Sequence, residues 1–185
     1  TTIRVFLGCW DRNQISRIGY IDVDATNPLR ILNISNNPVL DIGEDGTFDE
    51  NGVFPAHANK IDNKIYLYYT GFQLGFKIRH YNFGGLAISN DNGNSFSRYS
   101  KSPILDRSDE GLFVRAGQST IKVLDEYVSV YSAGSSWSNI NGKYRPCYNI
   151  FLQKSNDAIR LNSKGNKIIK YDPKREHGIG RPQIF

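Results

Sequence analysis

Five arginines recur at a near-constant interval, and they carry the first chemical expectation. Arg79 and Arg145 lie 66 positions apart, Arg12 lies 67 before Arg79, and Arg115 and Arg181 repeat the 66-residue interval. If the intervening chain repeats a unit around a centre, such side chains converge, and their five-donor forks suit a carboxylate or phosphate. The competing reading places them in solvent or beside local acids at the edge of each unit. Large aromatics border the same segments. Trp10, Phe72, Trp137 and Tyr144 follow or adjoin predicted strand ends, where a ring can stack on the apolar face of a ligand. His57 follows Phe54-Pro55-Ala56 and is either a ligand contact or a structural hydrogen-bonding group. The carboxylates Asp11, Asp49 and Glu110 fall near strand ends or starts, where turn and cap roles compete with chemical ones.

Bringing these groups together requires a repeated scaffold, and the chain carries the marks of one. Pro38-Val-Leu40 recurs as Pro103-Ile-Leu105, with Ile168-Ile-Lys170 as a weaker copy. Asp45-Gly-Thr-Phe48 recurs as Glu110-Gly-Leu-Phe113, then as His177-Gly-Ile-Gly180, and Leu86-Ala-Ile-Ser-Asn-Asp91 recurs as Leu152-Gln-Lys-Ser-Asn-Asp157. A period of roughly 65 residues, filled by short apolar and aromatic runs between Asp/Asn/Gly turns, predicts four-stranded antiparallel units. Strands are expected at Ile3–Trp10, Arg17–Val23 and Pro28–Asn33, then at Val53–Lys60, Lys64–Gly71, Phe83–Ser89 and Phe96–Ser100. The next unit is expected at Gly117–Leu124, Tyr127–Ala133, Tyr148–Lys154 and Ile159–Asn162, with an extension at Lys167–Tyr171. Ser135–Tyr144 reads as a long polar hairpin loop carrying Trp137. This is an all-β chain, a β-propeller with an incomplete blade over 1–46, blades over 47–111 and 112–178, and the start of another at 179–185. So few blades close no ring, so missing blades or another chain are expected to complete it; a β-sandwich is the architectural alternative.

Composition narrows the function classes. With 185 residues, 39% of them hydrophobic, no Met, 11 Tyr and 10 Phe, the chain suits a turn-rich β protein. A net charge of +5 is mild and spread along the sequence except at Lys164–Arg175, whereas a nucleic-acid binder more often concentrates its basic residues on one face. No apolar run is long enough to span a membrane as a helix. Two cysteines, Cys9 and Cys147, make no disulfide framework, and three histidines make no metal centre, so neither metal nor cofactor is expected. Nucleotide-binding loops and nucleophile elbows are absent.

Two resemblances become usable at this point. Ser89-Asn-Asp91-Asn-Gly93-Asn-Ser95-Phe96 resembles the Asp-box turn of sialidases, which are six-bladed propellers. Phe48-Asp49, Pro55, Lys64-Ile-Tyr-Leu-Tyr-Tyr-Thr-Gly71, Ser89-x-Asp91-x-Gly93 and Pro103-Ile-Leu105 together resemble more strongly the five-bladed propeller glycoside hydrolases, the arabinanase/xylosidase-like and invertase/levansucrase-like enzymes. That resemblance spans nearly the whole chain. It implies a sugar site on the propeller axis and a pair of carboxylates about 5–5.5 Å apart for retention or about 6.5–9.5 Å apart for inversion. Carried onto this sequence it makes Asp49 the preferred catalytic carboxylate, with Glu110 and Asp11 behind it. Glu110 departs from the pattern, because Gly111-Leu112 stands where a Gly-Pro is usual. Arg115, Arg181, Arg79 and Arg145, with Trp10, Trp137 and His57, would bind a carbohydrate, the arginines favouring an acidic one. The rival expectations are a propeller that binds glycans without cleaving them, and a protein-interaction propeller.

Overall fold

The structure, a computed structural model, describes residues 1–185 and contains only strands and their connections. The first three, β1 (Thr2–Trp10), β2 (Ser16–Asp24) and β3 (Ile31–Ile34), form an antiparallel sheet of their own. The next four are β4 (Val53–Ile61), β5 (Lys64–Leu74), β6 (His80–Ser89) and the two-residue β7 (Ser97–Arg98). They form an antiparallel meander in chain order, as do β8 (Val114–Val123), β9 (Glu126–Ile140), β10 (Lys143–Ser155) and β11 (Asn166–Ile169). Turn chemistry sets these hairpins. Asp62-Asn63 joins β4 to β5 with both φ angles positive, 46° and 61°, and Asn141-Gly142 joins β9 to β10 at 52° and 78°. Both are two-residue turns whose left-handed residues match strand twist.

The two meanders are not separate sheets. Asn82 pairs in parallel with Val114 and Phe83 with Arg115, so β6 and β8 fuse them into one curled sheet. The Asn82 N–H donates to the Phe113 carbonyl at 2.8 Å. Backbone groups that separate blades would leave to water are satisfied across this seam. An antiparallel pairing within each unit also recurs along the chain: Ile18 bridges Leu40, Gly84 bridges Leu105, and Ile150 pairs with Ile169. The parallel contact of Asn82 with Val114 likewise has a successor in Tyr148 with Gly178.

Two expectations need correction. The fourth strand after β10 lies at Asn166–Ile169, where only an extension was expected, and not at Ile159–Asn162. Asp157 accepts the N–H groups of Ile159 at 2.7 Å and Arg160 at 2.6 Å, which folds that segment into a turn. Ser135–Tyr144 is not a loop either: β9 and β10 continue through it, with Trp137 opposite Pro146 and Ile140 opposite Lys143.

The core lies between the units. Ile18, Val39 and Leu40 of the first pack against Phe48, Val53, Leu67, Tyr69, Phe83 and Ala87 of the second, and Leu105 packs with Tyr131, Ala133 and Phe151 of the third. Close approach is built in at Gly85, where an added methyl group would overlap the Tyr69 ring.

Candidate functional site

Two of the three candidate carboxylates sit in matching buried clusters. The Asp49 side chain has no exposed surface, and its Oδ2 accepts the Tyr69 hydroxyl at 2.9 Å and the Arg98 Nε–H at 2.8 Å. Arg98 also donates to the Asp41 carbonyl at 2.5 Å. One unit later, Glu110 Oε1 accepts the Tyr131 hydroxyl at 2.6 Å and the Arg115 Nε–H at 2.9 Å, while Oε2 accepts the Gly165 N–H at 2.8 Å. Arg115 donates in turn to the carbonyls of Asp106 at 3.0 Å and Asn162 at 2.5 Å. Glu110 therefore stands where Asp49 stands one unit before, whereas the sequence suggests Asp45, an exposed residue, as its counterpart. Burial pushes the Tyr131 phenol up to about 12, with the Glu110 charge adding to it. Burial also raises the Tyr69 phenol, helped by Asp49, so both hydroxyls remain donors. Asp49 Oδ1 alone among these carboxylate oxygens is buried without a partner.

Arg115 is wholly occupied by this cluster, with its side chain only 5% exposed. The other arginines are spread apart. Arg12, Arg79 and Arg145 are exposed, in the β1–β2 turn, in the β5–β6 connection and on β10. Arg181, with φ of 55°, donates its N–H to the Ser132 hydroxyl at 3.2 Å and a guanidinium N–H to the Pro55 carbonyl at 3.3 Å. Beside it, His57 Nδ1 approaches Gln183 Oε1 at 3.4 Å, and burial lowers the imidazole from its ordinary value. Asp11 serves its own turn. Oδ1 accepts the N–H groups of Asn13 and Ile15, and Oδ2 pairs with Arg17 at 2.7 Å. The turn amide of Ile15 leads the causes that hold its carboxyl low.

What the fold does bring together is aromatic. β1 ends, β4 begins, β5 ends, β6 begins, β8 begins and β9 ends along one edge, and each places a ring there. Trp10 lies 5.1 Å from Phe54 between centroids, Phe54 5.1 Å from Phe72, and Phe72 5.6 Å from His80. His80 meets Trp137 edge-on at 5.4 Å, and Trp137 lies 5.7 Å from Phe113. This unbroken row crosses all three units. Trp10 is 58% exposed and the others are half-buried. Asn82 is paired with Phe72 across β5 and β6 and so shares its face. The buried Asn82 Oδ1 and Trp137 Nε1 both lack partners, an acceptor and a donor beside the row. Burial, then the neighbouring Arg79 charge, lowers the His80 imidazole. Trp10 and Trp137 are legible in the sequence. Phe54, His80 and Phe113 are not, and their only signal is an aromatic at each strand end on the same edge.

No family model matches the sequence. Two curated relatives, the uncharacterized proteins MT1551 and Rv1502 of Mycobacterium tuberculosis strains CDC 1551 and H37Rv, are each 29% identical over 134 residues, 72% of this chain and 44% of theirs. The chain thus spans less than half the length of the curated relatives it matches. Among solved structures, the α-L-arabinanase of Cellvibrio cellulosa superposes with a TM-score of 0.61 at 17% identity, covering 98% of this chain and 60% of that one. Zg3597, a family 117 glycoside hydrolase of Zobellia galactanivorans, gives 0.61 at 14%, covering 90% and 43%. The Bombyx mori GH32 β-fructofuranosidase BmSUC1 gives 0.56 at 19%, covering 86% and 31%. The likeness is one of fold, that of the propeller-related glycoside hydrolases.

Proposed function

We propose that the chain forms part of a five-bladed, glycoside-hydrolase-like propeller whose contribution here is glycan binding along the aromatic row. The row itself carries the reading: six rings at or beside six strand ends, crossing three units and tilted to one another by 37–69°, offer aromatic faces and edges to consecutive sugars, with the exposed Trp10 at one end. Further blades, on the same or a second chain, cover the uncovered apolar side of the first sheet, where Ile3, Val5, Ile31 and Ile34 are 46%, 36%, 53% and 57% exposed.

Within this reading Asp49 and Glu110 are anchors and Asp11 is a turn residue, because both Glu110 oxygens, both Asp11 oxygens and Asp49 Oδ2 accept from internal donors. One observation favours a second reading, hydrolysis through Asp49: its Oδ1 is unpartnered. Affinity electrophoresis and calorimetry against neutral and acidic polysaccharides, with a reducing-end release assay on the same panel, test both. Binding lost in Trp10→Ala and Trp137→Ala proteins that remain folded, without product release, is the expected result. Release abolished by Asp49→Asn in a folded protein would establish the second reading, and unchanged binding in both tryptophan variants would overturn the first.

A further inference from the structure

Resting on the glycan-binding reading, we infer that the groove beside Arg107 is a subsite for a carboxylated sugar. The groove has a volume of about 570 Å³, within the usual range of small-ligand sites, and is lined by Thr47, Gln73, Phe83, Lys101, Ser102 and Arg107, with Asp106 at its margin. Arg107 differs from the arginines that the spacing singles out. Its guanidinium lies 5.0 Å from the centroid of Tyr81 and 5.7 Å from that of Phe83, within cation–π range of both rings. It donates no hydrogen bond within the protein and pairs with no carboxylate, whereas Arg98 and Arg115 are consumed by Asp49 and Glu110.

A guanidinium beside two rings with its N–H groups unspent is a two-pronged donor of the kind a carboxylate accepts. The Asp106 carboxylate does not fill that role, since its Oδ1 accepts the Arg107 backbone N–H at 2.6 Å. Lys101 contacts Glu44 at 2.7 Å, but the two side chains are 72% and 73% exposed, so water competes for that pair and the ammonium can turn to a ligand. Lys101 and Arg107 against Asp106 leave the groove one positive charge in excess. Thr47, Ser102 and Gln73 supply hydroxyl and amide groups for the rest of a sugar. Gln73 also places the groove relative to the row: it follows Phe72 on β5, and successive residues of a strand face opposite sides. A glycan lying on Phe72 would therefore reach the groove by passing over the end of β5.

The test is a titration followed through the side-chain Nε–H signals of the arginines by NMR, using galacturonate, galactose and inorganic sulfate as probes, with calorimetry of tri-galacturonate alongside. Galacturonate is expected to shift the Arg107 signal saturably while galactose does not, and Arg107→Gln is expected to weaken tri-galacturonate by about tenfold or more. Affinity for neutral oligosaccharides stays unchanged in that variant, and Trp137→Ala weakens both classes. No Arg107 shift with galacturonate, or an equal shift with galactose, overturns the subsite while leaving binding on the row intact. Sulfate that shifts Arg107 at lower concentration than galacturonate overturns the sugar assignment. Failure of both tri-galacturonate and neutral oligosaccharides to bind overturns the underlying glycan reading, which the monosaccharide titration at Arg107 reads separately.

Discussion

Replacing Arg115 by Met separates an anchor from a ligand contact. The substitution keeps much of the side-chain volume but removes donors to Glu110 and Asp106 in the β7–β8 connection and to Asn162 in the β10–β11 connection. Glu110 would retain the Tyr131 hydroxyl and the Gly165 N–H yet remain charged with its side chain 5% exposed. Breaking a buried pair by removing one partner costs about 3–5 kcal/mol, most of it from the stranded charge. For a chain of this length that loss corresponds to a fall of about 6–20 °C in Tm. Urea unfolding followed by tyrosine and tryptophan fluorescence measures the loss directly, as a lower midpoint at unchanged slope. The double variant Glu110→Gln/Arg115→Met removes the stranded charge, so it should recover a substantial part of the stability. Should Arg115→Met change stability by less than about 1 kcal/mol while weakening an acidic ligand, the anchor assignment is refuted and Arg115 becomes a binding residue.

Other consequences follow from the same geometry. His57 and His80 titrate below their ordinary value of 6.5, chiefly through burial, so the unfolded chain takes up protons first as pH falls. Stability should therefore be full above about pH 6.5 and decline as pH falls through the lowered values; a His80→Gln variant should show a flatter Tm profile between pH 7 and 5. Asp91, held far below the usual carboxylate range by the hydroxyls of Ser95 and Ser89, ties the turn between β6 and β7, where Arg4 also docks on Asn92 and Asn94. Asp91→Ala should lower stability by about 1–3 kcal/mol in urea at pH 7, and the wild type should lose that contribution only below pH 4 or so. Gly85→Ala, which drives a methyl group into Tyr69 within the Asp49 cluster, should lower the unfolding free energy measured in urea by about 1–3 kcal/mol.

Much of the strand plan was legible because hairpin chemistry is local. Asp62-Asn63 announces its turn, and the aromatic and apolar run Lys64–Leu74 marks a strand. The position of β11 was not legible, since the decisive event is the Asp157 carboxylate capturing two amides, and a Ser-Asn-Asp turn has several possible lengths. The run Ser135–Tyr144 is polar because it forms the exposed end of a hairpin, and polarity alone cannot separate that from a loop. Local pattern also cannot reveal the fusion of the meanders at Asn82 and Val114, which depends on two backbone segments meeting across 32 positions.

The carboxylates were the harder case, and the reason bears on how the protein would work. Asp49 and Glu110 stand out because acids near strand starts invite a chemical role, but their partners Arg98 and Arg115 follow them at unequal separations, 49 and 5 residues. A repeat search aligned on Gly-x-Phe therefore matches Glu110 to Asp45 and misses the shared cluster. The better signals were Tyr69 and Tyr131 on the second strand of each unit, and Asp41 and Asp106 after each Pro-x-Leu, whose carbonyls receive the two arginines. Once those contacts are recognised, position takes over from contact as the contribution of Glu110. Arg115 lies two residues beyond Phe113 and fixes the start of β8, and Phe113 supports Trp137 and through it His80. A loosened cluster would thus tilt the stacking edge without any of its members touching a sugar. Glycan affinity in a folded Glu110→Gln protein should fall together with stability, and a fall in affinity at unchanged stability would require direct contact instead.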